Sequence, residues 1–131
     1  MAEKISWLLN VQVAEGPKLS DAKELQVEAY DKIDVTIPAK TNNPGTATVD
    51  VQPGGANQVK FLLLTSSVYD AALTFTVDGG AVNQLDAPLV LLGAGAVKLL
   101  GATQKQFVFS NALDPAKPAS VKILVGRDAT P

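Results

Sequence analysis

The chain has 131 residues, enough for one domain that buries roughly two-thirds of the surface its unfolded form exposes. It contains no Cys and no His, which removes disulfides, thiolate chemistry and the commonest general bases and metal ligands. A net charge of −2 and an isoelectric point near 4.9 do not suit a chain whose main task is gripping nucleic-acid backbones.

Apolar residues make up 47% of the sequence and aromatic residues only 5%, so the core is expected to be built from Val, Leu, Ile and Ala. Mean hydropathy is +0.16, high for a small monomer, which hints at apolar surface covered by a partner or by sister copies. Charge is unevenly spread. Up to Asp34 seven acids face Lys4, Lys18, Lys23 and Lys32, whereas after Asp86 only Asp114 and Asp128 face four lysines and Arg127. The two ends of the chain can attract one another, on neighbouring strands within a fold or between copies.

Residues 4–13 alternate, with Ile5, Trp7, Leu9, Val11 and Val13 on one face and Leu8 as the exception. Glu15-Gly16-Pro17 ends that strand, and residues 19–23 read as a polar connection. Residues 25–37 then form a ribbon. Leu25, Val27, Ala29, Ile33, Val35 and Ile37 share one face, and a turn or bend is expected at Asp31-Lys32, because strands average about 5–6 residues. Residues 38–45, rich in Pro, Asn and Gly, are the strongest loop signal.

Residues 46–52 alternate again and Pro53-Gly54-Gly55 closes them. Residues 58–65 are apolar at both parities, which implies a strand covered on both faces. Asp78-Gly79-Gly80 between alternating runs predicts a hairpin that pairs residues 81–85 back on residues 73–77. Leu89-Val90-Leu91-Leu92 is another two-sided strand, followed by a Gly93-Ala94-Gly95 turn. Residues 96–100 are expected to continue as strand, since two glycines would each cost a helix there about 1 kcal/mol. Residues 104–110, with Phe107 and Phe109 in phase, and 121–125 are the last strands, around a long loop at 111–120, and residues 126–131 read as a flexible or partner-bound tail.

The expected architecture is a single all-β domain over residues 1–131, an antiparallel β-sandwich of jelly-roll or immunoglobulin-like type, with about eight strands and little or no helix. No secretion signal is expected, because Ser6, Asn10 and Gln12 interrupt the apolar residues near the start. Residues 88–100, the most apolar segment, are broken by Gly93, Gly95 and Lys98 and are too short to span a bilayer.

Candidate chemistry is sparse. Ser66 and Ser67 have no lysine placed to activate them, and the aspartates mostly fall in turns, where Asp is favoured for local backbone bonding. Gly93-Ala94-Gly95 lacks the third glycine and the Gly-Lys-Ser/Thr of a nucleotide loop. A loop Ca²⁺ site near Asp78 and Asp86 is conceivable, but two acids at that spacing are ordinary. Trp7 falls on an apolar strand face, and Tyr30 and Tyr69 are too separated to form a sugar-stacking platform. The expectation is a protein without catalytic residues, cofactor, metal or small-molecule substrate.

What remains is surface. Leu8, Leu62, Leu64, Val90 and Leu92 fall opposite the more obvious core positions. Either loops and a second sheet cover them, or they are buried between subunits.

The absence of Cys and His, the Val/Ala/Leu/Thr-rich core, strands such as 25–37 and 46–52, and loops such as 38–45 carry a resemblance. Over nearly its full length the chain resembles the small β-rich auxiliary proteins of tailed-phage virions, the capsid decoration or cement proteins and related head and tail modules. That resemblance implies a homo-oligomer, commonly a trimer, made in the host cytoplasm. It would be bound over junctions between coat subunits, where it stiffens the shell. The alternative is an adhesion or carbohydrate-binding sandwich that uses loops 38–45 and 111–120.

Overall fold

Ten strands run through the described residues, 3–51, 59–101 and 103–128, of the computed structural model. The first two, β1 (Glu3–Gln12) and β2 (Lys18–Val27), pair with each other as a hairpin. The other eight are β3 (Ala29–Ile37), β4 (Gly45–Asp50), β5 (Val59–Ser66), β6 (Asp70–Val77), β7 (Asn83–Leu85), β8 (Leu89–Leu92), β9 (Gln106–Asn111) and β10 (Ala119–Arg127). They form two four-stranded antiparallel sheets, in the orders β3-β10-β5-β8 and β4-β9-β6-β7. Pairing is nested: β3 with β10, β4 with β9, β5 with β8, β6 with β7. A double ribbon wrapped in this way into two facing sheets is a jelly roll. The all-β sandwich legible in the sequence is thus the fold, in its jelly-roll form.

Alternation decides what faces inward. Ile37, Leu62, Leu64, Val121, Ile123 and Val125 of the first sheet meet Val49, Leu73, Phe75, Val77, Phe107 and Phe109 of the second. Three of the chain's four phenylalanines cluster on the second sheet, with ring centroids 5.9 to 6.4 Å apart. Each buried Leu or Phe contributes about 1.5–3 kcal/mol, so this layer is the main source of stability.

Several boundaries differ from the sequence reading, each for a local reason. The ribbon bends at Glu28 rather than at Asp31-Lys32, because Asp31 stays within β3 and accepts a 3.0 Å bond from Nε of Arg127 on neighbouring β10. That ion pair also joins the acidic first stretch of the chain to its basic last stretch within one fold. Residues 19–23 are not a connection but half of β2, paired residue for residue with β1. After Gly93, whose φ of 96° reverses the chain, residues 94–100 are not strand. They form one α-helical turn, α1 (Ala94–Val97), and a 3₁₀ turn (Lys98–Leu100). Buried Val97 anchors the turn, and the buried Gln104 amide donates to the carbonyls of Gly101 at 2.8 Å and Val97 at 3.4 Å.

The predicted β6–β7 hairpin is present, with Asp78 and Gly79 both at positive φ in its turn. Strand β10 runs through Gly126 and Arg127, and Asp128 pairs with Lys60 at 3.1 Å, so these residues belong to the folded body rather than to a tail. Residues 129–131 and the turn expected at Pro53-Gly54-Gly55 lie outside the described residues.

Candidate interaction surface

The outer face of the β3-β10-β5-β8 sheet follows from register. Ile123 sits opposite Leu64 on one side and Ile33 on the other, and Leu62 and Leu64 face Leu91 and Leu89. All of these point into the sandwich, which leaves Phe61 and Leu63, with Leu92 and Val90 opposite them, on the outside. Leu124 joins them from β10. A bulge where β10 passes Lys60 returns Val59 to the inner face.

Of the five residues the sequence suggested for an interaction surface, Leu62 and Leu64 are therefore placed in the core, each 0% exposed. Four apolar residues in a row, Phe61 to Leu64, let either parity be taken as inner, and pairing with Ile123 selects the even one. Val90 is 46% exposed and Leu8 70% exposed, and Leu92 is half-buried on the outer face.

The second component is the β1–β2 hairpin. Its base is held on the sheet, with Val27 and Phe61 buried and Ile5, Trp7 and Leu25 half-buried. Beyond Trp7 it departs. Every residue from 8 to 24 is exposed, among them Leu8, Leu9, Val11, Val13 and Leu19. The register pairs Leu9 with Asp21 and Val11 with Leu19 on one face, and Leu8 with Ala22 on the other. The hairpin turn is closed locally, by bonds from the Val13 amide to the Pro17 carbonyl and from the Gly16 amide to the Val13 carbonyl. Thus the sequence pattern of a half-buried strand is met by a projecting arm that keeps its apolar side uncovered.

Between arm and sheet lies an open apolar cleft of about 340 Å³. Trp7 and Leu9 stand on its arm side, and Leu63, Val90, Leu92 and Leu124 on its sheet side. Lys32 and Lys122 border the same face where it continues past Leu63 and Leu124.

The polar candidates serve the scaffold. The Asp78 carboxylate accepts from Oγ1 of Thr103 at 2.6 Å and from the amides of Gln106 at 2.8 Å and Lys105 at 3.1 Å, tying the β6–β7 turn to β9. Burial acts to raise its pKa, but the bonds from Thr103, Gln106 and Lys105 and the Lys105 charge outweigh that and hold it below the ordinary 3.8. Asp86 follows β7 at the Asp70 end of β6, whereas Asp78 follows Val77 at the other end, so the two do not converge. Among the described residues no three His, Cys, Asp or Glu side chains group as a metal site. Oγ of Ser66 accepts from the Val68 amide and closes a turn, and Oγ of Ser67 accepts from the Ser120 amide and ties the end of β5 to β10. Among the described residues no helix is long and apolar enough to cross a membrane.

No protein-family model matches this chain, and no curated protein matches it in sequence.

Proposed function

We propose that this chain is a non-enzymatic structural protein of a tailed-phage virion, a decoration or cement protein that binds coat subunits and copies of itself and stabilises the shell. The observation that carries the reading is the arm. A run of exposed residues from 8 to 24, apolar along one face, projects from a well-packed sandwich. Uncovered apolar surface on that scale marks a site of protein association. The jelly roll supports the reading by analogy alone, since the same architecture builds capsid and lectin domains. In a closed lattice each copy is held at several contacts, so modest interfaces suffice through avidity.

The test is co-sedimentation with shells assembled from the coat protein of the same genome. Saturable binding, with a raised shell melting temperature, is the expected result. No binding to either expanded or unexpanded shells would count decisively against the reading, as would flanking genes unrelated to heads or tails.

The adhesion alternative draws on a different observation. The loop between β3 and β4 and the loop between β9 and β10 share one end of the sandwich, joined by Asn111, whose amide donates to the carbonyls of Ile37 and Lys117. A glycan array discriminates: a selective saccharide signal, lost on replacing loop residues, would favour it.

A further inference from the structure

We infer that the arm of one copy seats in the apolar cleft of a second copy of this chain. This deepens the proposed function by naming the surface through which copies join, and it rests on that reading only for its biological setting.

Three features point to a second copy as the occupant. The first is self-complementarity. The same chain carries an exposed apolar arm, with Leu9, Val11 and Leu19 on one face, and across the cleft an apolar sheet face where Val90 is exposed and Leu63 and Leu124 are half-buried. The second is charge. Asp21 lies on the arm's apolar face opposite Leu9, with Lys23 nearer the base opposite Trp7. Lys32 and Lys122 flank the sheet's apolar patch, and Lys122 stands across from Asp34, which leaves Lys32 as the cation facing Asp21 of an incoming arm. None of Asp21, Lys32 and Lys122 takes part in the ion pairs among the described residues.

The third is size. From Leu8 to its turn the arm extends about 20 Å, enough to cross a sheet of four strands spaced about 4.8 Å apart. A stable interface involves about 20–30 residues a side. The arm offers residues 8–24 and the receiving face the remainder, so exchange in which each copy gives an arm and receives one reaches that scale. The hairpin base stays on its own sheet through Ile5 and Val27, so only the distal arm is shared.

The experiment uses the full chain. Light scattering after size exclusion at about 100 µM, where weak interfaces associate, is expected to give a mass at least twice the 13.6 kDa of the chain. The exposed double variant Leu9→Asp with Leu19→Asp is expected to run as a monomer with an unchanged circular dichroism spectrum. Because the chain has no cysteine, single thiols report contacts cleanly. Leu19→Cys chains, first converted to their thiopyridyl disulfide so that thiopyridone leaves on exchange, are expected to form mixed disulfides with Val90→Cys chains about tenfold faster than with Asp86→Cys chains, whose thiol sits at an end loop.

A strictly monomeric wild type, a double variant that keeps the wild-type mass, or equal disulfide rates would each overturn the inference. Shell binding by a monomer would overturn it and leave the virion role standing. An arm-dependent oligomer that ignores shells would support it and remove the virion role.

Discussion

A β-carbon placed on Gly126 would lie 2.6 Å from Cδ1 of Ile5, 3.1 Å from Cγ1 of Val27 and 3.2 Å from Cβ of Phe61. The missing side chain on β10 is therefore the seat of the hairpin base. The Ile5 tip can swing aside, but Val27 and the Phe61 backbone-proximal carbon cannot, so Gly126→Ala should be tolerated better than Gly126→Val. The valine variant is expected to lose about 1–3 kcal/mol, the usual cost of overpacking. Urea denaturation measures it, and limited proteolysis should show earlier cutting in the arm.

Shortening the arm should leave the sandwich intact. Leu8 and Ala22 are directly opposed, so replacing residues 9–21 with Asn-Gly joins them through a two-residue turn. Every residue removed is exposed, and the change in sandwich stability is expected to stay within about 0.5 kcal/mol. A cooperative urea transition with an unchanged midpoint checks this. A collapse of the transition would mean that the arm is part of the core.

Parity in β5 and β8 separates core from surface. Leu62→Ala and Leu64→Ala should each cost about 2–5 kcal/mol, because both are fully buried against Ile123 and its neighbours. Val90→Ala, on the outer face, should cost less than about 0.5 kcal/mol in the isolated chain. Equal losses at Leu64 and Val90 would contradict the register.

Asn111 is 0% exposed, and its side chain takes a bond from the Leu113 amide while donating to the Lys117 carbonyl at 2.8 Å. Asn111→Leu leaves those backbone groups unpaired, at a cost of about 1–3 kcal/mol. Asn111→Asp sets a buried carboxylate against two carbonyls, which raises its folded-state pKa. Its penalty should therefore be small in acid and grow as pH rises above about 4, the unfolded carboxyl value. Thermal melts from about pH 3 to about pH 7 test the sign.

Asp78 should behave in the opposite sense. Its folded-state pKa is depressed, so its stabilisation is fully present above the ordinary 3.8 and lost as pH falls through the lower folded value. Asp78→Asn keeps one acceptor and the turn. At neutral pH it should be less stable than wild type by about 1 kcal/mol, because solvent screens and competes at this exposed site. The gap should close in strong acid, which paired melts can follow.

Much of the sandwich was legible in the sequence because alternation and turn residues are local signals. Asp78-Gly79 marked its hairpin, and Phe107 and Phe109 marked an inner face that is present. The arm was not legible as an arm. Period-2 patterning in Ile5, Trp7, Leu9 and Val11 says that these side chains share a face, but nothing local says whether another sheet covers it. Residues 19–23 lacked any burial pattern because both faces of that strand are exposed, and so they read as a connection. The outer surface was half-read: Val90 and Leu92 were assigned to the right side, while Phe61 and Leu63 were exchanged with Leu62 and Leu64. That error comes from long-range register with β10, which no short window contains.

Trp7 is the sole tryptophan and is half-buried where the hairpin leaves the sheet. The molecule thus carries a built-in optical probe at its joint, needing no label. Dilution through the association range, with emission wavelength and quenching by iodide followed together, would time the indole's change of surroundings on the scale of a stopped-flow trace.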